Sequence, residues 1–227
     1  GCPLAKSVGD MTTPRYAIYR PIHKAMRQIL FSTSRTVGLA DFNDDADVEE
    51  VLEAVDRMIS LLKEHRENED RFVHPAAERK IPGITADFVE DHDQDIDLSD
   101  EVQGIARLIL GAGGADRAAL GIELHEKLNT YIGIYLGHLH REETVLQQAL
   151  WDHFTDEELI AIDTEIVANA PPEVMADFLK EFCSTYSADE IAPILGNIKA
   201  NAPPEFAQFA LQTAEQNLPL RSLEKVK

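Results

Sequence analysis

The feature that most constrains this chain is a histidine followed four residues later by a glutamate, used twice: His65 with Glu69, and His138 with Glu142. On a helix, residues four apart lie one turn apart on the same face. The first pair continues a stripe of Val55, Met58, Leu62 and Phe72, and the second a stripe of Leu124, Leu128, Tyr131, Tyr135 and Leu146. Both stripes are apolar enough to face a core. A buried charge left unpaired costs about 3–5 kcal/mol, so two inward histidine–glutamate pairs on separate helices read as halves of one metal site.

The totals narrow the partners. With 41 acidic against 21 basic side chains the formal net charge is -20, and no basic cluster offsets it. Such a surface repels phosphate backbones, which argues against nucleic acid and anionic membrane. Cys2 and Cys183 fit no C-x-x-C pattern, so neither a zinc ribbon nor a disulfide scaffold is indicated. No apolar run reaches the ~20 residues of a membrane span and no signal peptide is visible, so a cytoplasmic location is expected. Met11 reads either as a natural start preceded by a vector-derived remnant, residues 1–10, or as part of a native tail.

Taken in order, Tyr16 to Ala40 reads as a first helix, with Pro21 in its first turn or at a kink. His23, Met26, Arg27 and Leu30 share a face of it. After the polar loop Asp41–Asp45, a second helix runs from about Ala46 to Val73, stopped near Pro75 and more firmly at Ile81-Pro82-Gly83. A third begins around Thr85, with Phe88, Val89, His92, Ile96 and Ser99 along one side. The acidic residues Glu90, Asp91, Asp93, Asp95 and Asp97 read as its solvated face. A fourth runs from about Asp116 to Trp151. Strand periodicity is absent.

From Thr155 onward the sequence repeats. Ala168-Asn169-Ala170-Pro171-Pro172-Glu173 returns 32 residues later as Ala200-Asn201-Ala202-Pro203-Pro204-Glu205, and candidate capping boxes at Thr155 and Ser187 keep that offset. Each copy is a helix, a proline corner and a second helix, and Pro193 should bend the first helix of copy two. Two copies are too few for an independent solenoid, so the pair is expected to pack on the bundle or on a second subunit. The expected architecture is therefore all-α: an up-down four-helix bundle over residues 14–152, then a C-terminal pair of repeated helical hairpins over 155–218.

In register, His23, His65, Glu69, His92, His138 and Glu142 form one cluster. A carboxylate can bridge two cations and imidazole suits iron and other transition metals. This pattern resembles the hemerythrin-like (HHE cation-binding) domain family, which has one histidine on helix one, His-x-x-x-Glu on helices two and four, and a histidine on helix three. The likeness extends to Asp70-Arg71-Phe72-Val73-His74-Pro75 and to Glu143, and covers roughly residues 14–152. It implies a non-haem di-iron centre, oxo- or hydroxo-bridged, open to dioxygen or related small molecules; other transition metals are not excluded. Oxygen-carrying hemerythrins have a second histidine one turn along helix three, where Phe88 and Ile96 stand here. The resemblance therefore implies an iron short of one nitrogen donor, which leaves room for redox chemistry.

Tyr131 and Tyr135, on the ligand stripe, are candidates to hydrogen-bond a bound oxygen species, or serve simply as bulky core residues. His74, His125, His140 and His153 lie off the stripes and read as surface. The functional expectation is a module binding or sensing a diatomic or peroxide ligand, with homo-oligomer contacts through the C-terminal repeat. A di-iron oxidase, peroxidase or nitric oxide reductase is the enzymatic alternative, and a metal-pinned interaction module the structural one.

Overall fold

The computed structural model describes residues 14–226; the cysteine at position 2 and the start at Met11 lie outside them. Among the described residues no strand occurs. The bundle is formed by α1 (Arg20–Leu39), α2 (Asp45–Asn68), α4 (Ala86–Gly111) and α5 (Gly114–Arg141), and each of these contacts two of the others, in the ring α1–α2–α4–α5. Met26, Leu30, Val55, Met58, Leu62, Leu124 and Leu128 fill the shared core. At roughly 25 cal/mol per Å² of apolar surface removed from water, this continuous core supplies the main drive for the bundle.

Two sequence expectations about helix ends are corrected. The first helix starts at Arg20 and not at Tyr16. The backbone N–H groups of Ile18 and Tyr19 donate to the side-chain oxygen of buried Gln147 at 2.9 and 3.3 Å, and the Trp151 indole N–H donates to the Tyr16 carbonyl at 2.8 Å. These long-range partners hold the segment as a strap across the end of α5's continuation. Pro21 sits in the first turn of α1, where its missing N–H costs nothing.

The second correction concerns Pro75. α2 does not stop there but passes through a π turn, Glu69–Val73, into α3 (His74–Lys80). The π turn lets the chain restart with Pro75 near the N-terminus of α3, where proline is tolerated. The wider turn also moves the inward stripe on by one residue, so Val73 is buried and Phe72, expected inside, is only half-buried. The turn α3–α4 then closes on Gly83, whose φ of 86° is costly for any other residue. The long fourth helix, expected from about Asp116 to Trp151, runs unbroken through α5, a second π turn at Glu142–Leu146, and α6 (Gln147–His153).

The repeat forms α7 (Asp156–Asn169), α8 (Pro172–Thr185), α9 (Ala188–Asn201) and α10 (Pro204–Asn217), followed by α11 (Leu220–Val226). The capping boxes at Thr155 and Ser187 are both formed. The hairpins pack on the bundle: α8 lies against α1 and α2, and Phe178, Leu179 and Cys183 join the bundle core. α9 runs through Pro193 without interruption. α7 covers the opposite, π-turn end, where Leu159 and Ile162 pack with Ile18, Tyr19, Val73 and Leu146. Arg15 to Asp156 at 2.6 Å and Lys80 to Glu158 at 2.7 Å tie its first turn down.

Candidate metal centre

Both π turns begin at the glutamate of a His-x-x-x-Glu pair: Glu69 opens one and Glu142 the other. π turns inside α-helices collect at functional sites because they re-aim side chains that a regular helix would send elsewhere. Here they aim both carboxylates into the bundle, beside two further histidines. His23 is fully buried near the start of α1, and His92 is buried on α4.

The six side chains expected from the sequence meet in one place. Glu69 reaches His65 Nε2 at 3.1 Å with Oε1 and His92 Nε2 at 3.3 Å with Oε2. Glu142 reaches His138 Nε2 at 3.1 Å with Oε1 and His23 Nε2 at 3.3 Å with Oε2. Each glutamate thus spans two histidine groups. His23 and His65 with both glutamates form one cluster able to hold a cation, and His92 and His138 with the same glutamates form another. The relation is close to two-fold: α1 and α2 supply one side as α4 and α5 supply the other.

The donor set fits cations better than it fits itself. All four oxygens of Glu69 and Glu142 and Nε2 of His92 are buried without a hydrogen-bond partner, although buried polar atoms are normally paired. His23 and His65 aim Nε2 at Nε2 across 3.2 Å, an arrangement that holds only with a proton or a cation between them. Without a cation, protons compensate. Burial alone would lower His23, but the carboxylates of Glu142, Glu143 and Glu69 beside it prevail and push it up to about 10. His92 is driven to about 11 in the same way, by Asp70, Glu142 and Glu69 against its burial. Glu142 is held below the usual carboxylate range against its burial and the charge of Glu69, by His138, His23 and His92.

Sequence reasoning gave no role to the groups behind the histidines. His23 Nδ1 lies 3.0 Å from Glu143, whose two oxygens are gripped by Arg27 at 2.6 and 3.1 Å. His92 Nδ1 lies 2.8 Å from Asp70. His138 Nδ1 lies 3.1 Å from Asp91, which Arg141 also holds. A carboxylate at Nδ1 fixes the ring and leaves Nε2 free to coordinate. Asp70 and Glu143 each directly follow a glutamate of the cluster, a regularity that is visible in the sequence. Asp91 was hidden in the acidic run of α4.

Several side chains depart from expectation. His74 is not at the surface: it is buried and stacks on His92 with ring centroids 5.1 Å apart, because the π turn rotates α3 inward. His125 is half-buried, while His140 and His153 are exposed. Asp95 does not belong to a solvated face; it is buried, accepting from Tyr131 and Arg66, whereas Val89 and Ile96 of the expected apolar side are exposed. Tyr19 gave no signal beyond lying one turn before His23. Its ring sits 5.3 Å from that of His23, and its hydroxyl is buried with no partner.

Tyr131 spends its hydroxyl on Asp95. Tyr135 stands 5.8 Å, ring to ring, from His138. Phe88 is buried beside His138 at 6.3 Å.

Residues 15–150 match the hemerythrin HHE cation binding domain. The chain belongs to that family. A comparison with curated proteins finds no match. In this hemerythrin-like domain the cation-binding function of the family meets buried histidine and glutamate groups arranged to hold a metal. Among the described residues, no helix is long and apolar enough to cross a membrane.

Proposed function

We propose that this hemerythrin-like chain is a non-haem di-iron protein that binds or senses a small molecule such as dioxygen or nitric oxide. The observation that carries the reading is the double reach of Glu69 and Glu142, each set between two histidine groups. His23 and His65 would hold one iron and His92 and His138 the other, with Glu69 and Glu142 serving both. When bound, the pair supplies reversible redox change and open coordination positions. The chain contributes the rest. Glu143, Asp70 and Asp91 orient three imidazoles, and the buried walls exclude water. Nε2 protons on His23 and His92 leave as cations enter, so affinity rises with pH.

Residues 14–152 would form the cation-binding unit, with the hairpins of 155–218 as a cover that also offers a surface for a second copy. A second reading, a di-iron oxidase, peroxidase or nitric oxide reductase, draws on Phe88 standing where a further nitrogen donor would fill a coordination position.

The test is metal content with an absorption spectrum of protein purified without chelator, for wild type and His65→Ala. We expect two irons per chain with oxo-bridge absorption in the wild type, and loss of the metal in the variant. Full occupancy in His65→Ala would sink the ligand assignment. Turnover of peroxide or nitric oxide well above that of free iron would favour the enzyme, and a stable adduct without turnover the binder.

A further inference from the structure

Between α4 and α5 the bundle is open to a cavity of about 280 Å³ whose lining includes Asp91, Asp95, Tyr131, Tyr135, Gly137 and His138. His138 therefore faces two ways. Its Nε2 is 3.1 Å from Glu142 in the cluster, while the ring borders the cavity. On the other side of the cluster His23 is fully buried behind Tyr19, and neither His23 nor His65 lines this cavity.

The lining is close to electrically neutral. Asp91 is matched by Arg141, and Asp95 by Arg66 from behind. What remains in the lining is the uncharged Gln94, Tyr131 and Tyr135 and the apolar Leu98 and Ile134. Outside lies a chain of net charge -20, which disfavours the approach of anions.

We propose that this cavity is the chamber through which an uncharged molecule of a few heavy atoms reaches the cation position of His92 and His138. The proposal rests on the di-iron reading above. Tyr135 and His138 form its inner wall, and the Asp91–Arg141 pair its rim. Because Asp91 also orients His138, the rim and the cation position share one carboxylate.

Gly137 supplies the test. A Cβ there meets open space, as it does at Gly133, one turn earlier on α5 and not part of the lining. Helical side chains lean toward the helix N-terminus, so a phenylalanine at 137 covers the cavity, while one at 133 leans away from it. Both changes replace a poor helix former, and neither replaces a residue of the cluster. The measurement is stopped-flow association of nitric oxide with the reduced, iron-loaded protein, with iron content assayed in every sample.

We expect equal iron in wild type, Gly137→Phe and Gly133→Phe, with association slowed about tenfold or more only in Gly137→Phe. Equal rates in Gly137→Phe and wild type, or equal slowing in both variants, would overturn the chamber and leave the di-iron reading standing. Iron-loaded wild type that forms no nitric oxide adduct would do the same. A wild type that takes up no iron would overturn both. Azide association with the oxidised protein should speed up with added salt, as entry of an anion past an acidic surface requires; a salt-independent rate would refute the preference for uncharged molecules.

Discussion

His23 with His65 and His92 with His138 share the same two glutamates, yet the two sides of the cluster live in different surroundings. On the first side His23 is wholly buried, Glu143 is fixed by both arms of Arg27, and Tyr19 closes the end under α7. On the second, Asp70 is half-open to solvent and the ring of His138 borders a cavity. The parts are nearly equal in number; the shielding is not. In the proposed di-iron centre, the sealed side would keep its cation while the other meets incoming molecules. Symmetry in the donors thus supports a division of labour through what lies behind them.

The comparison is most easily broken at the carboxylates. Because each glutamate serves both sides, Glu142→Ala should empty both cation positions at once, read as metal per chain. A variant that keeps one full equivalent would mean that the sides are independent sites. The orienting acids sharpen the contrast. Glu143→Gln and Asp70→Asn should each weaken metal binding by about 10–100-fold, with Glu143→Gln the more severe because Arg27 is left without its partner. Competition with a chromophoric chelator gives the two affinities, and the opposite ranking would contradict the assignment of the sealed side.

The smallest effect is expected at Tyr19. A buried hydroxyl without a partner costs about 1–3 kcal/mol, so Tyr19→Phe should stabilise the metal-free protein by about 1 kcal/mol in urea. A loss of stability in that measurement would mean that the hydroxyl already has a partner on the sealed side.

Much of this centre was legible because helical spacing is rigid. His65 with Glu69 and His138 with Glu142 could be paired by counting, and His23 and His92 followed from their positions on apolar faces. The two π turns were not legible, since nothing in Asn68-Glu69-Asp70 marks a widened turn; the demand comes from the partner helices. Three errors just past Glu69 have that origin: Phe72 in place of Val73, the stop expected at Pro75, and His74 placed at the surface. Asp95 was misplaced for a different reason. A carboxylate within an acidic run looks solvated unless the tyrosine and arginine that face it, on α5 and α2, are known. The strap before α1 depends on Gln147, more than a hundred residues away, and no local propensity encodes it.

One consequence of the paired acids reaches beyond chemistry. Glu69 meets the front nitrogen of His92 and Asp70 meets the rear one, so two adjacent residues of one rod clasp a ring of another between them. Glu142 and Glu143 clasp His23 in the same fashion. A shift of α4 along α2, or of α1 along α5, by a single turn would open a clasp on both faces together. The four rods are therefore locked lengthwise by these two grips even before any ion arrives, and the donors are laid out in advance.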